Sequence, residues 1–108
     1  MLSPGLSVTY ATDPSAVLTL AGELDVATGP ALRQALLDLL NKGEDVPDLT
    51  IDATQVTFVD STGLAVLLMG ARRWGAEERR MVLRPSPALS RLLDLTGVRR
   101  AFEVEEER

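Results

Sequence analysis

A chain of 108 residues falls in the range of one compact domain and is long enough to close one hydrophobic core. Hydrophobic residues make up 45% and charged residues 25%, which excludes a disordered chain, and aromatics at 4% leave the core to aliphatic side chains. The net charge of −5, with Lys42 the sole lysine, excludes a basic surface for direct nucleic-acid binding, and the lack of cysteine and histidine excludes disulfides, thiol chemistry, imidazole or thiolate zinc sites and any histidine-based triad.

The opening Met1-Leu2-Ser3-Pro4-Gly5 lacks the basic start and apolar stretch of a secretory signal. No apolar run approaches the ~20 residues of a membrane span, so a soluble cytoplasmic protein with no membrane insertion is expected. Leu6, Val8 and Tyr10 alternate with polar residues, Thr12-Asp13-Pro14-Ser15 supplies turn chemistry, and residues 16–21 form a second β-prone run. This reads as an antiparallel hairpin. After Gly22-Glu23-Leu24-Asp25, Thr28 is placed to cap a helix with Pro30 in its first turn, and Leu32, Ala35, Leu36, Leu39 and Leu40 make its apolar stripe, with Arg33, Gln34 and Asp38 outside it. Gly43 is placed to end that helix.

Leu49 and Ile51 alternate with Thr50 and Asp52, and Val56, Phe58 and Val59 resume the apolar character, which predicts one long strand with an interruption. The helix that follows carries Leu64, Leu67, Leu68 and Ala71 on one stripe. Ala65, Val66 and Met69 make its remainder so apolar that it is either deeply buried or turned toward a partner. Arg72 and Arg73 suit its C-terminal end, and Gly75 is expected to close it. Met81-Val82-Leu83 predicts a short strand, Ser86-Pro87 an N-cap with proline at the first helical position, Leu89, Leu92 and Leu93 a third helix stopped by Gly97. Phe102 and Val104 suggest a last edge strand, and residues 105–108 a frayed acidic tail.

Strands alternating with helices after an opening hairpin define a single α/β (mixed α+β) domain over residues 1–108. Its sheet is expected to be mostly parallel, with four to five strands, opened by the antiparallel hairpin and packed by the helices. Ligand sites in such sheets gather at the carboxyl ends of the parallel strands. Three strand-to-helix connections fall there, at residues 25–28, 60–63 and 84–86.

The connection Thr57-Phe58-Val59-Asp60-Ser61-Thr62-Gly63-Leu64 is the most informative stretch. A β-rich run breaks into small polar residues and a glycine and then turns helical, so hydroxyls stand where unpaired helix N–H groups favour an anion. Ser61 and Thr62 serve either as plain N-caps or as presented hydroxyls. A nucleophile elbow is excluded because Val59 stands where glycine is required, and an aspartic-protease triplet because one extra residue separates Asp60 from Gly63. No Gly-Lys-Ser/Thr triplet marks a P-loop, and the lysine that a receiver domain carries on a later strand is absent. Asp25, Asp52 and Asp60 are oxygen donors suited to a hard cation, but turn carboxylates more often cap or face solvent, and no metal or cofactor is expected.

Gly22-Glu23-Leu24-Asp25 and Asp60-Ser61-Thr62-Gly63-Leu64, in that order, resemble the two signatures of the STAS family, and within it the small stand-alone bacterial anti-sigma-factor antagonists. The resemblance covers nearly the whole chain. It implies a STAS-type fold and no catalytic residues: a phosphoacceptor and protein-binding switch rather than an enzyme. The family's phosphorylated serine maps onto Ser61, with Thr62 a second hydroxyl beside it. The unphosphorylated form is implied to bind a cytoplasmic anti-sigma factor with serine kinase activity and so to release a sigma factor; phosphorylation ends binding and a serine phosphatase restores it. Asp25, Thr28, Asp60, Ser61, Thr62, Gly63 and Leu64 are the expected partner-binding residues, and Gly63 serves either close approach of a partner or tight packing on the sheet. A homodimer is compatible with this. The same fold also leaves open a subunit of a membrane lipid transporter, held to its ATPase through the apolar second helix, and a scaffold protomer of a stress-signalling assembly.

Overall fold

The computed structural model describes residues 2–3 and 5–106. Its elements follow as β1 (Leu2–Ser3), β2 (Leu6–Ala11), β3 (Val17–Leu24), α1 (Gly29–Leu40), β4 (Leu49–Val59), α2 (Ser61–Ala76), β5 (Met81–Pro85), α3 (Pro87–Thr96) and β6 (Glu103–Val104). The six strands lie side by side in chain order. The first two pairings are antiparallel, and β3 to β6 run parallel. The expected mixed sheet is thus present with one more strand, because β1 pairs with β2 ahead of the hairpin through only two residues.

Leu6 and Val8 on β2, Leu18, Leu20 and Leu24 on β3, and Ile51 and Ala53 on β4 are buried. They meet Leu32 and Leu36 of α1 and Leu64, Leu67 and Trp74 of α2 in one core. Ser7, Thr19, Thr50 and Asp52, which alternate with the buried set, are only partly covered. The stripe of α2 runs through Gly63, Leu64, Leu67, Gly70 and Trp74. Leu68 and Ala71, expected on it, are half-buried beside it with Val66 and Met69, all packed against the core. Burial therefore accounts for the apolar character of α2. Trp74 is fully buried, and its indole N–H donates to Pro47 O at 2.7 Å.

Two helix ends differ from expectation. α1 stops at Leu40 with Asn41 as its C-cap, and Gly43, with φ +64°, instead opens a short 3-10 turn. α2 runs past Gly75 to Ala76 and closes on Glu78, which takes the left-handed φ of 57°. Glu78 N–H donates to Gly75 O at 3.0 Å and Arg79 N–H to Trp74 O at 2.9 Å, the bond pair of a Schellman motif. α3 matches its signals: Ser86 Oγ accepts from Leu89 N–H at 3.2 Å, and Gly97 ends the helix at φ +72°.

The acidic tail is tied down as far as it is described. Glu105 N–H donates to Leu83 O at 2.9 Å, Glu105 pairs with Arg84 at 2.7 Å and Glu106 with Arg99 at 2.6 Å. Glu103 pairs with Arg80. Residues 107–108 of that tail lie outside the described residues.

β4 is the strand that positions the site. Against β3 it carries two extra residues, one between the Thr19↔Asp52 and Ala21↔Gln55 pairs and one between Gly22↔Val56 and Glu23↔Phe58. Each insertion reverses which side chains point inward, so burial passes from Leu49, Ile51 and Ala53 to Val56 and then to Val59. Gly22 sits at the second bulge with φ +114°, where a β-carbon would fall 2.1 Å from Gly5 O.

Candidate functional site

Leu24 and Val59 are the last paired residues of β3 and β4, so the turns that follow them stand side by side. Asp60 N–H donates to Leu24 O at 3.2 Å, fastening one turn to the other. Asp60 is extended (φ −111°, ψ −178°), and its Oδ1 accepts from Gly63 N–H at 2.9 Å while its carbonyl accepts from Leu64 N–H at 2.9 Å. Asp60 is therefore the N-cap of α2.

Because Asp60 does the capping, Ser61 and Thr62 are released from it. Both are exposed at the first two helical positions, and neither hydroxyl has a hydrogen-bond partner among the described residues. Their own N–H groups belong to the helix-start donors that have no intrahelical acceptor. Two free hydroxyls thus stand beside helix-start N–H groups.

The neighbouring turn is knitted from Asp25 and Thr28. Asp25 Oδ1 accepts from Ala27 N–H at 2.9 Å and Thr28 N–H at 3.1 Å. Thr28 Oγ1 donates to Glu23 O at 2.7 Å and accepts from Asp25 N–H at 3.0 Å. Thr28 occupies the N-cap position of α1, but its side chain bonds backward to the strand end instead of capping the helix. At 2% exposure it lies beneath the surface.

Gly63 and Leu64 lie beneath it too. Leu64 is 4% exposed within the core, and Gly63 abuts Leu24, which decides its two readings in favour of packing. The expected partner-binding set thus divides. Asp25, Asp60, Ser61 and Thr62 reach the surface, while Thr28, Gly63 and Leu64 support it from below. The connection at residues 84–86 does not join them. β5 ends opposite Ala53, and β4 continues six residues further, about 20 Å at a strand's rise. Asp52 is likewise apart, in mid-strand, with Oδ1 accepting from Thr54 N–H at 3.1 Å and Thr54 Oγ1 at 2.6 Å.

Sequence reasoning missed the apolar rim. Val26, at the tip of the β3–α1 turn, is 69% exposed, Phe58 on β4 is 50% exposed and Leu95 on α3 is 76% exposed. Phe58 was indistinguishable from its buried neighbours because the bulge that turns it outward depends on pairing with β3.

This pair of adjoining turns stands at the carboxyl ends of β3 and β4, on a mostly parallel sheet opened by a hairpin. A protein-family model described as "Mlab, STAS domain" matches residues 8–104, and the chain belongs to the STAS domain family. The chain is 33% identical over 91 residues to the anti-sigma-B factor antagonist of Bacillus subtilis, covering 81% of this chain and 78% of that one. With the protein of the same description from Listeria monocytogenes it shares 34% over 86 residues, 79% of this chain and 74% of the other. The crystal structure of an anti-sigma factor antagonist from Mycobacterium paratuberculosis superposes with a TM-score of 0.79 at 29% identity, over 96% of this chain and 89% of that one.

Proposed function

We propose that the chain is an anti-sigma-factor antagonist acting in the cytoplasm, a binding switch without turnover of its own. Its unphosphorylated form binds an anti-sigma factor that is also an ATP-dependent serine kinase and thereby frees a sigma factor. Phosphorylation of Ser61 by that kinase ends the binding, and a serine phosphatase restores it. The relatives named as anti-sigma-B factor antagonists support the class. The observation that carries the switch is the unpartnered, exposed Ser61 hydroxyl at the first position of α2, with Asp60 already serving as the cap.

A phosphate adds about −1.5 to −2 charges, and its oxygens fall among helix-start N–H groups that favour an anion. The domain tolerates it. The partner does not, because the added group brings bulk, a desolvation penalty and charge beside Asp60 to the contact surface. Thr62 carries the second free hydroxyl, and Ser61 is the proposed acceptor.

The test is a pull-down from source-cell lysate with wild type, Ser61→Ala and Ser61→Glu baits in the presence of ADP. Capture of an ATPase-type serine kinase by the first two and its loss with Ser61→Glu supports the switch. Transporter subunits captured equally by all three assign the turn to a scaffold role instead. In parallel, phosphorylation is expected to leave backbone chemical shifts unchanged away from residues 24–28 and 60–64; widespread changes through α3 would reject a surface mechanism.

A further inference from the structure

β5 accompanies only the first half of β4, and beyond Pro85 the place beside the second half is taken by α3. Strand and helix do not close on each other. Between them lies a groove of about 300 Å³ formed by Phe58, Val59, Ala88, Leu92, Leu95 and Arg91. Val59 in its lining is the residue before the Asp60 cap, so the groove adjoins the turn that carries Ser61.

Its composition is unusual for solvent. Phe58 is half exposed, and Leu95 at 76% is the most exposed large apolar residue among those described. Such adjoining apolar exposure marks contact surfaces. Arg91 lines it as an exposed side chain with no ion pair or hydrogen bond among the described residues. The neighbouring turns carry the opposite charge in Glu23, Asp25 and Asp60. The surface therefore carries acidic groups around Ser61 and a cation, Arg91, in the apolar groove beside it.

We propose that this groove is the second half of the docking surface. It takes an apolar side chain of the anti-sigma factor that has a carboxylate beside it for Arg91. The proposal rests on the function proposed above and extends it, since the reversal of charge along the surface fixes the direction in which the partner lies across it. A partner basic opposite Ser61 and acidic opposite Arg91 fits one way round only. Phosphorylation at one end leaves the groove itself intact.

Titration calorimetry with the purified serine-kinase anti-sigma factor, against wild type, Ser61→Glu, Leu95→Gln and Arg91→Glu, tests this. Both groove positions are exposed, so each variant should unfold at the wild-type denaturant midpoint. Leu95→Gln and Arg91→Glu are each expected to weaken binding about tenfold. The Arg91→Glu difference should narrow as salt is raised. Groove variants that bind within about twofold of wild type, while Ser61→Glu loses binding, overturn the groove and leave the switch standing. A wild-type chain that binds no such kinase overturns both. Changed self-association in sedimentation, with kinase affinity unaltered, assigns the groove to a second copy of this chain and also overturns the proposal.

Discussion

Gly63 rests directly on Leu24: a β-carbon built on Gly63 would lie 2.5 Å from the Leu24 carbonyl oxygen and 2.7 Å from Leu24 Cγ. The first turn of α2 is thus seated on the last residue of β3. No L side chain fits there without displacing backbone. Gly63→Ala is expected to destabilise the fold by about 2–3 kcal/mol, read as a lowered urea midpoint with shift changes concentrated in the two turns. A midpoint equal to wild type would show that the turn has slack that this geometry denies.

Asp60 has two separable properties, an acceptor for Gly63 N–H and a charge beside Ser61. Asp60→Ala should lose about 1 kcal/mol through the missing cap, whereas Asp60→Asn keeps an acceptor and nearly all the stability. If charge repulsion contributes to the phosphorylation switch, Asp60→Asn narrows the ratio of partner affinities between unphosphorylated and phosphorylated protein. An unchanged ratio would assign the switch to bulk alone.

Glu78 occupies the left-handed position that closes α2, where side chains other than glycine are strained, and its carboxylate has no partner among the described residues. Glu78→Gly should stabilise the protein by about 0.5–1 kcal/mol. Thermal unfolding at fixed pH decides it, and a lowered midpoint would contradict the strain.

Trp74 is the only tryptophan, fully buried and bonded to Pro47 O. Its fluorescence should be blue-shifted in the native state and move red on unfolding. Trp74→Phe deprives that carbonyl of its protein donor and removes core volume, an expected loss of about 2–3 kcal/mol in chemical denaturation. Wild-type stability in that variant would mean that the hydrogen bond contributes nothing.

The C-terminal strand is held by ion pairs whose pH response has a definite sign. The hydrogen bond from Arg80, aided by its charge, holds Glu103 below the ordinary carboxylate value. The unfolded chain then binds more protons in acid, so this contribution is complete above the unfolded carboxylate pKa and disappears as pH falls through the lower folded value. The pair is exposed and its effect small. Acidification should loosen β6, seen as reduced protection of the Glu105 amide after correction for intrinsic exchange, and Glu103→Gln should weaken that dependence. Protection that rises toward acid would refute the assignment.

Much of this was legible in local pattern. The hairpin, the helix of Leu32 and Leu36, the Ser86-Pro87 start and the Gly97 stop follow from periodicity and turn chemistry, and all are present. The strand-to-helix turn at residues 60–64 was legible too, through its small polar residues and glycine. What stayed hidden depends on residues distant in sequence. The bulges of β4 exist only against β3, so the outward Phe58 could not be read from one segment. The premature end of β5, which removes residues 84–86 from the site, is a register property with no local signal. Which of three adjacent polar residues caps α2 was settled only by backbone geometry, and that assignment frees Ser61.

The Leu24–Val59 pairing joins residues separated by an entire crossover helix. Closing a parallel contact of this span costs loop-closure entropy, and such nonlocal pairing is slow compared with the local helix turns on either side. A chain still emerging or partly collapsed carries the same Asp-Ser-Thr-Gly sequence, but not the two turns fastened together. The paired turns around Ser61 are thereby a product of completed folding, present only once the centre of the sheet has zipped shut.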